Sequence, residues 1–210
     1  MIRKTFQVGI LGCNCTIIAD IDAAEAIVVD PGGDADSIIE KCVELGVKIK
    51  KIILTHGHFD HILAADEIRK KCEVEIFLNE GDRWLFENID EQGKLFGLDL
   101  KNTGTYDQNL EHQQMHQCGA SQIETLHTPG HSPGSVCFHL EKEKLLFSGD
   151  TLFAGAVGRS DIWKGSQEDL IANIKKHLLV LDEATIVIPG HGAESSIGSE
   201  LRINPFLQSL

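Results

Sequence analysis

Thr55-His56-Gly57-His58-Phe59-Asp60-His61 places three imidazoles and a carboxylate within a few positions of one another. An apolar run, Ile52-Ile53-Leu54, precedes this segment, and apolar residues at helical spacing follow it over residues 60–71. His56 and His58 are two positions apart and would not share a face of a helix, so a loop between strand and helix is needed to let both reach one ion. Gly57 allows the tight path this requires. Asp60 suits the N-cap of the helix and His61 its first turn, so the same segment can hold a second ion opposite the first. A turn with a capping acid and surface histidines is the plainer alternative, but the density of donor side chains favours metal.

Working outward, an apolar run at 74–78 completes a βαβ-like unit with 52–54 and the helix between them. Upstream, 8–18 and 26–29 have strand character. Ile38, Ile39, Cys42 and Val43 then predict a helix over 36–45 that stops at Gly46. Downstream, strands are expected at 123–126, 135–140, 145–147 and 185–188, with a long helix over 166–181. The irregular stretch 81–119 reads as an excursion over the mouth of the active site. The class is mixed α/β, and with no internal repeat or Gly/Ser linker the 210 residues read as one domain, 1–210.

One regularity recurs: apolar runs end in a small-residue turn or loop followed at once by a titratable side chain. Val28-Val29 leads to Asp30, Ile53-Leu54 to His56, and Leu126 to His131 through Thr128-Pro129-Gly130. Phe147 leads to Asp150 across Ser148-Gly149, and Val187-Ile188 to His191 across Pro189-Gly190. If these strands lie side by side, their ends gather the polar residues at one edge. Taken singly, His131 and His191 would be ordinary loop histidines and Asp150 a turn acid. Taken together with the 55–61 loop, a carboxylate with two oxygens is what a two-metal centre needs as a bridge.

The net charge of -13 argues against a nucleic-acid-binding surface, which needs clustered Lys and Arg. The opening residues Met1-Ile2-Arg3-Lys4-Thr5-Phe6-Gln7 are too polar for a secretory core, and no run approaches a membrane span, so a cytoplasmic protein is expected. Six scattered cysteines (13, 15, 42, 72, 118 and 137) read as reduced thiols.

The motifs Thr-His-Gly-His-Phe-Asp-His, Thr-Pro-Gly-His, Ser-Gly-Asp-Thr-Leu-Phe and Pro-Gly-His-Gly, in this order, resemble those of metallo-β-lactamase-fold hydrolases. The resemblance runs from Asp30 nearly to the C-terminus and implies an αββα sandwich. Gly158-Arg159-Ser160-Asp161 and the ending Glu200-Leu201-Arg202-Ile203-Asn204-Pro205-Phe206 look like the short, single-domain type of glyoxalase II, or hydroxyacylglutathione hydrolase. Carried over by position, the resemblance assigns one metal to His56, His58 and His131, a second to Asp60, His61 and His191, and Asp150 to the bridge. Such sites typically hold zinc, with iron and manganese also occurring. Asp30 resembles the family acid that steadies a metal-binding imidazole or its loop, although a strand-end turn acid before Pro31-Gly32-Gly33 fits as well. Arg159 pairs with an acid such as Asp161 or Asp30, the favoured reading, or faces a substrate carboxylate.

The expected reaction needs no Ser or Cys nucleophile, because a divalent ion lowers the pKa of water from 15.7 to about 7 and supplies hydroxide, held in place by Asp60 and Asp150 through the metals. The favoured substrate is a glutathione thioester such as S-D-lactoylglutathione, split to a hydroxy acid and glutathione. The helical C-terminal domain through which two-domain glyoxalase II enzymes contact glutathione has no counterpart after His191, and Tyr106 is the single tyrosine. A persulfide dioxygenase with one iron on His56, His131 and Asp150, or another ester or lactone hydrolase, are the alternatives. A secreted β-lactamase and a non-catalytic binding module are disfavoured.

Other features carry less. Cys13 and Cys15 point to one face of a strand and read as packing. His112 and His116 lie in a Gln-rich passage read as solvated, His127 reads as a residue that supports a ligand or the turn rather than as a ligand itself, and His139 and His177 as ordinary strand and helix residues.

Overall fold

Neighbouring apolar residues in the strands go to opposite faces, and that alternation sorts them into three cores. Ile17, Val28 and Ile52 join Ile38, Cys42, Ile62 and Ile68 on one side of a first sheet. Their neighbours Ile18, Val29 and Ile53 meet Phe138, Phe147 and Ile188 between the two sheets. Cys137, Leu146 and Val187, on the far side of the second sheet, pack against Leu170, Ile174, Leu178 and Ile197. Continuous apolar runs in the sequence thus mark strands buried on both faces, and the layers are those of an αββα sandwich.

The computed structural model describes residues 1–101 and 104–208. The first sheet has the order β1 (Ile2–Val8), β2 (Cys13–Asp20), β3 (Glu25–Val29), β4 (Lys48–Ile53), β5 (Glu75–Leu78) and β6 (Gln108–Asn109). Its first three strands are antiparallel and the rest run parallel to β3. The second sheet comprises β7 (Met115–Cys118), β8 (Ser121–His127), β9 (Val136–Leu140), β10 (Leu145–Gly149), β13 (Ile186–Pro189) and β14 (Ser195–Ser196), ordered 14-13-10-9-8-7. The small ribbon β11 (Leu152–Phe153) and β12 (Ala156–Val157) lies between β10 and β13 in the chain. On the outer faces lie α1 (Ala35–Glu44) and α3 (Ala65–Cys72) on one side and α6 (Gln167–Asn173) and α7 (Ile197–Ile203) on the other.

Several expectations are corrected. The run 8–18 is a hairpin rather than one strand, turning at Gly9 and Gly12, both at positive φ. The helix over 60–71 is two: α2 (Phe59–Ile62) and α3, broken where the Ala64 N–H leaves the helical ladder to donate to Pro31 O at 2.9 Å. The helix over 166–181 starts as expected on a Ser166 cap, but after α6 it widens into a π-helical turn, Ile174–Leu178. The stretch 81–119 is not only an excursion: after α4 (Arg83–Glu87) and α5 (Ile89–Leu95), its β6 and β7 extend the edges of both sheets. His116 on β7 is buried rather than solvated, with Nε2 2.9 Å from Thr125 Oγ1. Cys13 and Cys15 are both buried, as a shared strand face requires, and all six cysteines are unpaired. Among the described residues no helix is long and apolar enough to cross a membrane.

Phe138 is fully buried between the sheets. Phe138→Ala is expected to cost about 3–5 kcal/mol of stability, read as a lowered urea midpoint at unchanged slope.

Candidate metal centre

The strands β3, β4, β8, β10 and β13 all deliver their C-terminal ends to one edge of the sandwich. Backbone bonds lock these ends together within and across the sheets: Gly190 N donates to Gly149 O (2.8 Å) within the second sheet, and Val136 N to Thr55 O (2.8 Å) and Asn14 N to Gly190 O (2.7 Å) between the two. Asp30, the 55–61 loop, His131, Asp150 and His191 are thereby brought to one place.

His56 Nε2, His58 Nδ1 and His131 Nε2 form a triangle with edges of 3.0, 2.9 and 3.2 Å. On the other side, His191 Nε2 lies 2.9 Å from Asp60 Oδ2, and His61 Nε2 lies 3.7 Å from the same oxygen. Asp150 stands between: Oδ1 is 3.5 Å from His61 Nε2 and 4.0 Å from His191 Nε2, while Oδ2 is 3.7 Å from His131 Nε2. The seven residues singled out by the motifs thus fall into two facing groups that share the two oxygens of Asp150. The N-cap expectation for Asp60 is corrected: His58 occupies that position of α2, and Asp60 lies within the first turn, its carboxylate turned into the site.

Three observations bear on whether these residues suit cations. Tetrahedral ligation with Zn–N bonds of about 2.0–2.1 Å sets nitrogens roughly 3.3 Å apart, close to the triangle found. His61 Nε2 and Asp150 Oδ1, which face the site, are buried without a hydrogen-bond partner among the described residues, a state that costs about 1–3 kcal/mol per group if nothing else compensates it. A Cβ on Gly190 would stand 2.3 Å from Asp150 Oδ1 and 2.5 Å from His61 Cε1, so only glycine leaves the space beside these donors open. The donor set, nitrogen and carboxylate oxygen, fits divalent zinc, iron or manganese.

The protonation states agree for His56 and His58, whereas burial at His61 and His191 is outweighed by the neighbouring carboxylates, which raise both above their ordinary values. Burial, reinforced by the neighbouring His131, pushes the His58 imidazole down to about 3, and burial drives His56 well below its ordinary value, so both present lone pairs. Burial alone would raise the Asp150 carboxyl, but His61, His131 and His191 outweigh it and hold the group well below the usual carboxylate range.

The far sides of the imidazoles are held as firmly. His61 Nδ1–H donates to Asp30 Oδ2 at 3.0 Å, fixing the tautomer that leaves Nε2 facing Asp150. Asp30 also accepts from Thr55 N (2.7 Å) and Thr55 Oγ1 (2.6 Å), from a left-handed backbone with φ of 50°. Of its two readings, steadying an imidazole and its loop is the one the contacts match. Arg159 forms the expected pair with Asp161, at 2.8 and 3.0 Å, and its backbone carbonyl accepts from His131 Nδ1 at 2.7 Å, a role the side chain gave no hint of.

Two further residues were not foreseen. Asp82, fully buried, accepts from Gly57 N (2.8 Å), Ser132 Oγ (2.6 Å) and Gly134 N (2.7 Å), and so ties the 55–61 loop to the loop that carries His131. Gln92 on α5, also fully buried, accepts from Phe59 N (3.0 Å) and donates to Gly57 O (2.9 Å). Nothing in the spacing of 81–95 signals this, since both partners are backbone groups far away in sequence. Gly57 is needed for this close approach rather than for a special φ: a Cβ there would lie 2.9 Å from Leu85 Cβ and 3.0 Å from Asp82 O. His127 is structural, its Nε2 3.1 Å from Pro133 O.

The chain belongs to the metallo-beta-lactamase superfamily, whose family model matches residues 8–191. It is 42% identical over 199 residues to the hydroxyacylglutathione hydrolase GloC of Haemophilus influenzae, covering 93% of each chain. It is 38% identical to the probable metallo-hydrolase YqgX of Bacillus subtilis, covering 97% of this chain and 96% of that one. Among solved structures, BLEG-1 B3 metallo-beta-lactamase superposes with a TM-score of 0.92 at 36% identity, over 99% of this chain and 100% of that one. The di-iron-bound form of TTHA1623 follows at 0.89 and 32%, over 97% and 100%.

Removing the Asp82 carboxylate releases both loops that carry the His56, His58 and His131 triangle. Asp82→Ala is expected to weaken metal affinity about 10- to 100-fold, measured by competition with a chromophoric chelator on protein whose circular dichroism is unchanged. An unaltered dissociation constant in that folded variant would refute the tie.

Proposed function

We propose that this member of a metal-dependent hydrolase family is a dinuclear enzyme that cleaves a glutathione thioester, such as S-D-lactoylglutathione, to a hydroxy acid and glutathione. The observation that carries the dinuclear part is the pair of facing donor groups sharing Asp150. His56, His58 and His131 would hold one ion, Asp60, His61 and His191 the other, and Asp150 would bridge them. Bound there, two divalent cations would lower the pKa of water and polarise a carbonyl.

The chain's own residues do the rest. Asp30, Thr55 and the Arg159 carbonyl keep His61, His56 and His131, respectively, in the tautomer that presents a lone pair. A cleft of about 190 Å³ lined by Leu11, Phe59, Phe96, Ile162 and Trp163 beside the donor residues admits an acyl group and limits water around it. Water adds to the acyl carbon, the C–S bond breaks, and the thiol leaves with the proton released in the addition. The thioester assignment is supported by the 42% identity to a hydroxyacylglutathione hydrolase. A second acyl substrate, a β-lactam amide, is supported by the 36% identity to BLEG-1 over both full chains.

Purified protein is expected to carry two metal ions per chain by elemental analysis, and to lose thioester hydrolysis on chelation and regain it on adding zinc, iron or manganese. Asp150→Ala is expected to lower metal content and hydrolysis together. One iron per chain, with oxygen uptake on glutathione persulfide and no thioester loss, would overturn the proposal in favour of a dioxygenase. Turnover of a chromogenic cephalosporin exceeding that of the thioester would shift it to the β-lactam reading.

A further inference from the structure

Two glycines, Gly190 and Gly192, flank His191, and the turn they form has little conformational preference of its own. Nor is the His191 ring held from behind. His56, His61 and His131 each have a hydrogen-bond partner at Nδ1, in Thr55, Asp30 and the Arg159 carbonyl. Among the described residues His191 Nδ1 has none, and its side chain is 29% exposed. Where the ring stands is therefore set by the backbone that carries it.

That backbone is gripped by one residue of the first sheet. Asn14, in β2, donates from Nδ2 to Pro189 O at 2.9 Å and to Gly192 O at 3.0 Å, and from its own N–H to Gly190 O at 2.7 Å. Three carbonyls of the turn 189–192 thus converge on one residue. An amide nitrogen carries two hydrogens, so the Asn14 side chain serves both flanks of His191 at once; a serine, with one donor, or a carboxylate, with none, could not. Alternation along β2 turns Cys13 to the opposite face, where its Sγ lies 3.5 Å from His61 Nδ1, the atom that also meets Asp30. The start of β2 therefore backs both imidazoles of the second donor group. Asp82 and Gln92, by contrast, act on the loops that carry His56, His58 and His131, to which Asn14 makes no hydrogen bond among the described residues.

We propose that Asn14 is the positioning residue for the second ion: by fixing the turn that carries His191, it sets how tightly Asp60, His61 and His191 hold that ion, without setting the affinity of the first group. This rests on the two-ion reading of the donor residues. Loss of the amide is expected to leave a chain that keeps one ion, on His56, His58 and His131, and releases the other.

Zinc-loaded full-length enzyme is titrated with a chromophoric chelator, as wild type, as Asp82→Ala and as Asn14→Leu, which keeps the side-chain volume and removes both side-chain donors. In Asn14→Leu one of the two dissociation constants is expected to rise about 10- to 100-fold, the other staying within about 2-fold of wild type. Combining Asn14→Leu with Asp82→Ala is expected to weaken both ions, since the two residues act on different donor groups. Two unchanged constants, equal weakening of both by Asn14→Leu, or a double variant that still holds one ion at wild-type affinity would overturn the assignment. Asn14→Ala is read in the same way if the leucine variant does not fold. Hydrogen exchange, read by NMR, separates the turn from the ions. The Gly190 amide, bonded to Gly149 O, is expected to exchange about 10-fold faster in Asn14→Leu, with the amides of 55–61 unchanged. Equal exchange at Gly190 overturns the role of Asn14. A wild-type enzyme that holds a single ion defeats the two-ion reading instead, and the exchange rates then decide whether Asn14 holds the His191 turn.

Discussion

Three imidazole nitrogens held 2.9 to 3.2 Å apart in a buried site, with their hydrogens on the far sides, are electrostatically unfavourable in the absence of a positive charge. Much of the surrounding architecture keeps them there. Asp30 and Thr55 anchor the start of the 55–61 loop, Gln92 holds its middle, and Asp82 joins it to the His131 loop. Each of these is a buried polar group satisfied by backbone or side-chain partners, so the network is rigid before any ion arrives. A preorganised cluster of this kind would bind a cation without paying a large ordering entropy at that moment.

The sandwich supplies the rigidity. Five strand ends converge because β3 and β4 are parallel in one sheet and β8, β10 and β13 share a direction in the other. The cross-sheet bond from Val136 N to Thr55 O ties the metal loop of the first sheet to the second, so relative sliding of the layers would pull the donors apart. Packing of Val29 and Ile53 against Phe138 and Phe147 therefore acts on the site as well as on stability.

Much of this was legible in the sequence because both-faced burial turns strands into apolar runs, and the runs end at the residues that matter. The seven candidate donors were singled out in this way, helped by the order of their motifs, and the structure brings their side chains together. What stayed hidden depended on contacts rather than on composition. The break between α2 and α3 comes from one backbone bond to Pro31, which no helical periodicity reports. The hairpin at Gly9 and Gly12 was masked because β1 and β2 abut with little polar punctuation. Asp82 and Gln92 act on backbone N–H and C=O groups, which have no sequence signature, and Arg159 acts on His131 through its carbonyl. His116 was taken for solvated from its Gln-rich neighbours, although a strand places alternate residues on opposite faces and its partner Thr125 is buried.

The net charge of -13 sets the last constraint. An acidic surface would repel an anionic substrate at long range, so attraction for one would have to come from the site itself, where cations on the donor groups would act over a short path in a poorly hydrated cleft. Long-range steering would then be absent, and discrimination would fall to short-range contacts. A chain built this way gains more from shaping the walls of its cleft than from adding surface charge, and the walls are where Trp163, Phe96 and the left-handed turn at Trp163-Lys164 lie. The left-handed backbone at that turn and at Asp30 is held by packing that extends from three apolar cores, as strained conformations require.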